Sequence, residues 1–421
     1  MSFQTVNPWT GEVLGRYFYQ TDEEILAKVE ILGSQNHGWL SLPERLRLTE
    51  DVAKALETAA HDISRQMSLE MGKPLTESKA ELAKAVAGLR WFAQNGEAML
   101  RTELIKANYS KVEIIYEPMG LILAIMPWNF PVWQFIRVLA PALITGNSVL
   151  LKPAELTAGT SQMMVSALRK VLPEGLVDIA LVGHEQVEKL IAHQNVAAVT
   201  LTGSTRAGRI VGELAGRHLK KCVLELGGND AAVVFADADL EVAAQAVVKS
   251  RLQNAGQSCI ATKRLLIEEK VRESFLHRVI NLMSEIQPSN PLETSTRMGP
   301  LASQVHRKTL ISQVQKAQAL GGKILLGGTA PEGPSAAYPV TVIEMKRWPR
   351  ELLCEEFFGP VLLVGSFSSE EEAIALVNSS PYGLGGSVFT RDMNRADRVT
   401  RKVRTGLIVV NEMPVSYTHL T

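Results

Sequence analysis

Apolar residues recur at helical spacing along the first hundred positions, then give way to short apolar runs separated by helical stretches. Thr21 and Glu24 stand three apart ahead of Ile25, Val29 and Leu32, a capping-box pattern followed by one apolar helix face. Pro43 opens a second helical run carrying Leu46, Val52, Leu56, Ile63 and Met67, and a third is expected from Glu77 to Phe92. VEIIYE (112–117) predicts a strand and LILAIM (121–126) a buried one.

From residue 148 the pattern alternates. SVLL, VDIALV, AAVTLT and KCVLEL read as strands, with AGTSQMMVSALRKVL, EQVEKLIAH and TRAGRIVGELAG as helices between them. Strand, helix, strand in repetition predicts a parallel sheet that binds its ligand beyond the carboxyl ends of the strands. After residue 228 the alternation resumes with AAVVF, a helix from Leu240 and KRLLIEE, which predicts a second α/β domain. No low-complexity tract or short repeat interrupts it.

Composition narrows the choice of partners. A chain of 421 residues exceeds one ordinary core and points to two or three domains. Lys plus Arg and Asp plus Glu each number 44, with no basic block, so the chain offers little to nucleic acid or to an anionic membrane. The start, MSFQTVNPWTGEVLG, lacks the pattern of a signal peptide, and the longest apolar stretches are too short or too broken to span a bilayer. Three cysteines, Cys222, Cys259 and Cys354, fit a reducing cytoplasm. They lie far apart and form no Cys-x-x-Cys, and only Cys222 has a histidine within a few positions, His218, which argues against a structural zinc site. Cys259, within NAGQSCIA (254–261), has four readings from its residues alone: disulfide, metal ligand, core thiol or nucleophile.

The usual dinucleotide fingerprint, G-x-G-x-x-G, is absent. In LTGSTRAG (201–208), Gly203 and Ser204 join a strand to a helix. A helix N-terminus with a free hydroxyl suits a phosphate, and the same residues also make an ordinary turn with its cap.

Six stretches then stand in a telling order: PWNFP at 127–131, KPAE at 152–155, LTGS at 201–204, ELGG at 225–228, GQSC at 256–259 and EEFFGPV at 355–361. Together they resemble the aldehyde dehydrogenase superfamily from about residue 6 to Asn411, and NAGQSC with PWNFPVWQFIR looks most like its succinate-semialdehyde dehydrogenase branch. The resemblance implies a Rossmann-type NAD(P)-binding domain (1–106 and 121–227), an oligomerisation arm strand (107–120), a catalytic domain (228–411) and an atypical tail (412–421). It implies a homodimer or homotetramer, NAD as cofactor with NADP possible, a small aldehyde as substrate and no metal.

Laid on this chain, the resemblance makes Cys259 the nucleophile that attacks the aldehyde carbon. Asn129 becomes the donor that, with the Cys259 N–H, holds the oxyanion. Glu225 becomes the base that activates water against the thioester, and its place at the end of an apolar strand predicts a buried carboxylate suited to that task near neutral pH. Trp128, Lys152, Glu155, Gly203, Ser204, Glu356 and Phe358 become cofactor contacts. Lys152 and Glu155 match the pair at the adenosine ribose, where a carboxylate disfavours a 2′-phosphate and so favours NAD. Arg137, in an apolar run expected to form a helix from near Pro131, falls where this branch carries an arginine for the substrate's far carboxylate. By its residues alone it reads first as an arginine that reaches solvent or pairs with an acidic neighbour, and only the resemblance turns it toward the substrate. Cys222 and Cys354 match no role.

Two departures qualify the resemblance. A second arginine often lies six positions before the nucleophile, where this chain has Gln253. The family continues past GLIVVN with a PFGG-type segment and a last strand that reaches a partner subunit; EMPVSYTHLT resembles neither, so a shortened C-terminus is expected, leaving the arm strand as an exposed apolar edge. The competing readings are a dehydrogenase for another aliphatic aldehyde, a catalytically impaired fragment, and a cysteine hydrolase or acyltransferase. The last lacks the histidine base it would need, since none of the eight histidines falls in a motif.

Overall fold

The computed structural model describes residues 1–34 and 40–414; the last seven positions of the expected tail lie outside the described residues. The chain divides into two compact units. The first holds Met1–Asn7, Glu12–Met71 and Leu75–Glu225; the second holds Pro8–Gly11, Gly72–Pro74 and the chain from Leu226 onward.

The helical start of the first unit follows the apolar spacing. Asp22–Ser34 is a helix that buries Ile25, Val29 and Leu32. Thr21 and Glu24 close the capping box, the Glu24 carboxylate accepting from Thr21 N at 2.7 Å and Thr21 Oγ1 from Glu24 N at 3.2 Å. The run from Pro43 is two helices, Leu42–Thr58 and Ala60–Met71, not one. Ala59, at φ −87° and ψ 4°, breaks the helical dihedrals for one residue while its N–H still bonds Ala55 O, so the apolar stripe continues across the break. The helix expected from Glu77 to Phe92 is the fourth, Leu75–Leu100, and runs a further two turns past Phe92. It packs along Leu42–Thr58 on one side and Pro131–Ile144 on the other.

Most of VEIIYE does not form a strand. Only Glu113–Ile114 pairs, antiparallel, with Glu103–Leu104. Leu104, Tyr109, Ile115, Tyr116 and Met119 are exposed, and among the described residues no further strand pairs with this hairpin.

Five strands then build an all-parallel sheet: Leu121–Ile125, Ser148–Lys152, Val177–Ile179, Val196–Thr202 and Lys221–Glu225. Numbered by sequence, they lie in the order third, second, first, fourth, fifth. That is one half of the doubly wound arrangement, and the order reverses between Leu121–Ile125 and Val196–Thr202.

The second unit has a seven-stranded mixed sheet in the order Lys323–Leu326, Thr341–Glu344, Val361–Phe367, Arg264–Glu268, Ala231–Val234, Gly386–Phe389, Val409–Val410. Only the first pair is antiparallel. Both faces are covered: Ala232 and Val234 pack with Phe275 and Val279, whereas Ala231 and Val233 pack with Phe367, Val388 and Val399. Strand residues of alternating direction therefore serve two cores, as a sheet between helical layers requires. Among the described residues no helix is long and apolar enough to cross a membrane.

Candidate active site

In the first unit the candidate residues gather at the carboxyl ends of parallel strands. Trp128 and Asn129 follow Ile125, Lys152 ends its strand with Glu155 just beyond, Gly203 and Ser204 follow Thr202, and Glu225 ends the fifth strand. The loops bearing Trp128, Asn129, Gly203 and Ser204 flank the point where the strand order reverses, the crevice where such sheets take a dinucleotide. These positions thus fit the nicotinamide cofactor that the sequence implies.

A residue not singled out from sequence fixes the first of these loops. Helix Pro131–Ile144 begins directly after PWNF, and its free N–H groups at Val132 and Trp133 both donate to Glu81 Oε1 at 3.0 Å. A buried carboxylate at the positive end of the helix holds the turn in which Asn129 is buried. On the opposite loop, Ser204 caps helix Thr205–Arg217 by accepting from Ala207 N at 3.2 Å, and Gly203 N bonds Glu225 O at 2.9 Å. The turn-and-cap reading of Gly203 and Ser204 is therefore realised, at a helix end beside the crevice.

Lys152 is buried, with Nζ 3.3 Å from Pro153 O. Burial pulls its pKa down, opposed by the charges of Glu155 and Glu185. Glu155 accepts the Tyr19 hydroxyl at 2.5 Å, and burial followed by this carboxylate pushes the Tyr19 phenol up to about 12.

Glu225 departs from expectation. Its strand is the outermost of the sheet, with Val223 and Leu224 exposed, so an apolar sequence does not produce a buried end. The Glu225 side chain is 33% exposed, and its Oε1 lies 2.7 Å from Arg137 Nη2. Arg137 has left the apolar core of its helix to pair with an acidic neighbour.

The second unit places its candidates at the opposite rim of its own sheet, in loops that precede parallel strands. Cys259 precedes Arg264–Glu268, Gly228 precedes Ala231–Val234, and Glu356 and Phe358 precede Val361–Phe367. Helix Leu240–Leu252 ends, Gln253 turns the chain, and Asn254, Ala255 and Gly256 follow at φ of 54°, 51° and 73°. Three left-handed residues in a row, one of them Ala, cost about 1–2 kcal/mol per non-glycine position and need support. The fully buried Arg251 supplies it, its guanidinium donating to the carbonyls of Thr262, at 3.0 Å, and Gly256. Gln257 adds a bond to Asn254 O at 3.1 Å and accepts from Ala302 N at 2.8 Å. The turn leaves Ser258 buried and Cys259 partly exposed. None of the three cysteines is in a disulfide, and burial raises the Cys222 thiol.

Around Cys259 the sequence reading missed two charged groups. Lys263 is wholly buried and donates to the carbonyls of Ser258, at 2.8 Å, and Cys259. It also pairs with Glu356 Oε1 at 3.2 Å, which accepts from Gly228 N at 3.1 Å. Asp230 is fully buried behind them, and desolvation pushes its pKa up to about 6 against the pull of Lys263. Their one sequence signal is the pair Lys263–Arg264 heading an apolar strand, where a charge needs a reason.

A dinucleotide-type sheet in one unit and a presented thiol in the other define an α/β oxidoreductase. The chain belongs to the aldehyde dehydrogenase family, which it matches over residues 1–420, and is thus an NAD(P)-dependent enzyme of aldehyde oxidation. It is 38% identical over 412 residues to a succinate-semialdehyde dehydrogenase [NADP(+)] of Deinococcus radiodurans, covering 97% of this chain and 86% of that one. A succinate semialdehyde dehydrogenase [NAD(P)+] of Escherichia coli is 35% identical, with 97% and 89% covered. Among solved structures, succinic semialdehyde dehydrogenase from Streptococcus pyogenes in complex with NADP+ superposes with a TM-score of 0.95 at 31% identity, over 98% of this chain and 92% of that one.

Proposed function

We propose that this enzyme oxidises succinate semialdehyde to succinate in the cytoplasm. The observation that carries the choice of aldehyde is Arg137, a half-buried guanidinium whose Nη2 already pairs with a carboxylate oxygen, Glu225 Oε1, at 2.7 Å. A group arranged in this way suits the distal carboxylate of a four-carbon semialdehyde. The named relatives act on that substrate, which supports the same reading.

In this reading the Cys259 thiolate adds to the aldehyde carbon, and the Asn129 amide with the Cys259 N–H holds the resulting oxyanion. A bound nicotinamide cofactor would supply the hydride acceptor, and loss of hydride from the adduct on Cys259 leaves a thioester. Lys152, Glu155, Gly203, Ser204 and Trp128 hold it from the first unit, and Glu356 and Phe358 serve its nicotinamide end. Glu225 then takes a proton from the water that hydrolyses the thioester, returning the thiol and releasing the acid. Glu155 favours NAD, with NADP also accepted. The exposed apolar residues of the 107–120 segment, Tyr109, Ile114, Ile115, Tyr116 and Met119, serve as the arm of a homodimer or homotetramer.

Absorbance of the reduced cofactor, followed with a panel of aldehydes and with NAD and NADP in parallel, tests this. Succinate semialdehyde should give the highest kcat/KM, and Cys259→Ala should abolish turnover while Cys222→Ala stays near wild type. A faster uncharged aldehyde would defeat the substrate reading. Equal behaviour of the two cysteine variants would defeat the nucleophile.

A further inference from the structure

An ammonium shut away from water costs several kcal/mol unless its donors are met. Lys263 has three N–H donors, and three acceptors face it: Ser258 O at 2.8 Å, Cys259 O, and Glu356 Oε1 at 3.2 Å. The arrangement is built around this cation. A Cβ on Gly228 would stand 2.5 Å from Cys259 O and 2.7 Å from Asp230 Oδ1, and one on Gly227 would stand 2.3 Å from Glu356 Oε2. Both glycines of ELGG are thus places where a side chain would push the carbonyls and carboxylates off Lys263.

The two carbonyls are not interchangeable. The Ser258 carbonyl belongs to the same planar peptide as the Cys259 N–H, and the Cys259 carbonyl belongs to the next peptide. Lys263 therefore grips both peptide planes that meet at the Cys259 Cα. That fixes the direction in which the thiol leaves the backbone and the direction in which the Cys259 N–H points. A full positive charge on the Ser258 oxygen also polarises the shared peptide and makes its N–H a stronger donor.

We propose that Lys263 is a positioning residue for the acylation step, aiming and polarising the Cys259 N–H that receives the oxyanion and tying it to Glu356. The inference rests on the proposed role of Cys259. It assigns to a buried cation, four residues beyond the thiol, an effect on the reaction that it exerts through the backbone.

The test uses Lys263→Met, which keeps length and removes charge and donors, and Lys263→Gln, which keeps a donor without charge. At saturating cofactor, the burst of reduced cofactor on mixing with aldehyde reads acylation. Alkylation by iodoacetamide at high pH reads the thiolate without any oxyanion. The burst rate should fall about 10- to 100-fold in Lys263→Met and less in Lys263→Gln, an indirect share of what losing a direct donor costs. Alkylation should stay within about threefold of wild type, on the scale of one weak contact. An unchanged burst at saturating cofactor would assign Lys263 to Glu356 or to the fold alone. Burst and alkylation falling together in both variants would mean the loop has collapsed, and either result overturns the proposal. A wild type without a Cys259-dependent burst overturns the underlying reading as well, which separates the two failures.

Discussion

Arg137 Nη2 lies 2.7 Å from Glu225 Oε1, so two residues from the helix after PWNF and from the outermost strand form one ion pair. In the proposed reaction they have separate tasks, one toward the substrate's carboxylate and one toward water. Arg137→Leu should lower kcat/KM for succinate semialdehyde by about thirty-fold to several thousand-fold, the cost of leaving one partner of a buried pair alone. Activity on butanal, of similar length but uncharged, should hold or rise. Steady-state kinetics on both aldehydes decide it, and equal losses would make Arg137 a support of the fold.

Glu225→Gln separates the two halves of the reaction. In the proposed reaction acylation uses Cys259, Asn129 and the cofactor but not Glu225, so a burst of reduced cofactor should persist while steady turnover stalls at the thioester. Rapid mixing shows both phases. A variant that binds cofactor but gives no burst would place Glu225 before acylation, in activating the thiol.

In the proposed reading the cofactor choice turns on Glu155, whose carboxylate accepts the Tyr19 hydroxyl at 2.5 Å. NAD should outperform NADP in the wild type, and Glu155→Ser should narrow or reverse the gap by removing the charge that opposes a 2′-phosphate. Tyr19→Phe leaves that charge and removes only its anchor, so the preference should keep its sign. A wild-type preference for NADP in initial-rate assays would refute the argument from Glu155.

Asp230 ties stability to pH. Its pKa is 3.8 in an unperturbed chain and about 6 when buried in the fold. Between these values the folded chain holds a proton that the unfolded chain has released. This contribution is therefore complete below the lower value and is lost as pH rises through the upper one, by about 3 kcal/mol. Asp230→Asn carries no such proton. Calorimetric melting midpoints of the variant should gain on wild type as pH is raised from about 4.5 to about 7. A difference that stays flat across this range would show that Asp230 does not titrate there.

The strands and helices that carry chemistry were legible because their period is local. SVLL, AAVTLT, KCVLEL and the helix at Pro131 stand where apolar spacing and turn residues put them. The short pairing of VEIIYE was not legible, since a strand's length depends on what lies beside it. Neither was the exposure of Glu225, because an apolar strand reads alike whether it lies at the middle or the rim of a sheet. Lys263 and Asp230 escaped for a related reason: each is one charged letter, and the meaning of Lys263 comes from three oxygens gathered from Ser258, Cys259 and Glu356, that of Asp230 from its burial near Lys263 and Arg264. Glu81, fifty-one residues before the N–H it holds at Val132, has no local mark at all.

The three left-handed residues ahead of Cys259 give the thiol a history. Nothing in the peptide Asn254-Ala255-Gly256 favours that turn strongly enough to hold it alone, given the cost at Ala255. Arg251 holds it, and Arg251 meets the Gly256 and Thr262 carbonyls only once the chain on both sides has packed. A nascent or half-unfolded chain is therefore expected to carry an ordinary cysteine at position 259, slow toward electrophiles at neutral pH. With Cys259 as the proposed nucleophile, its presentation is acquired only at maturation, and chains caught before that point should be spared the damage that a reactive sulfur invites.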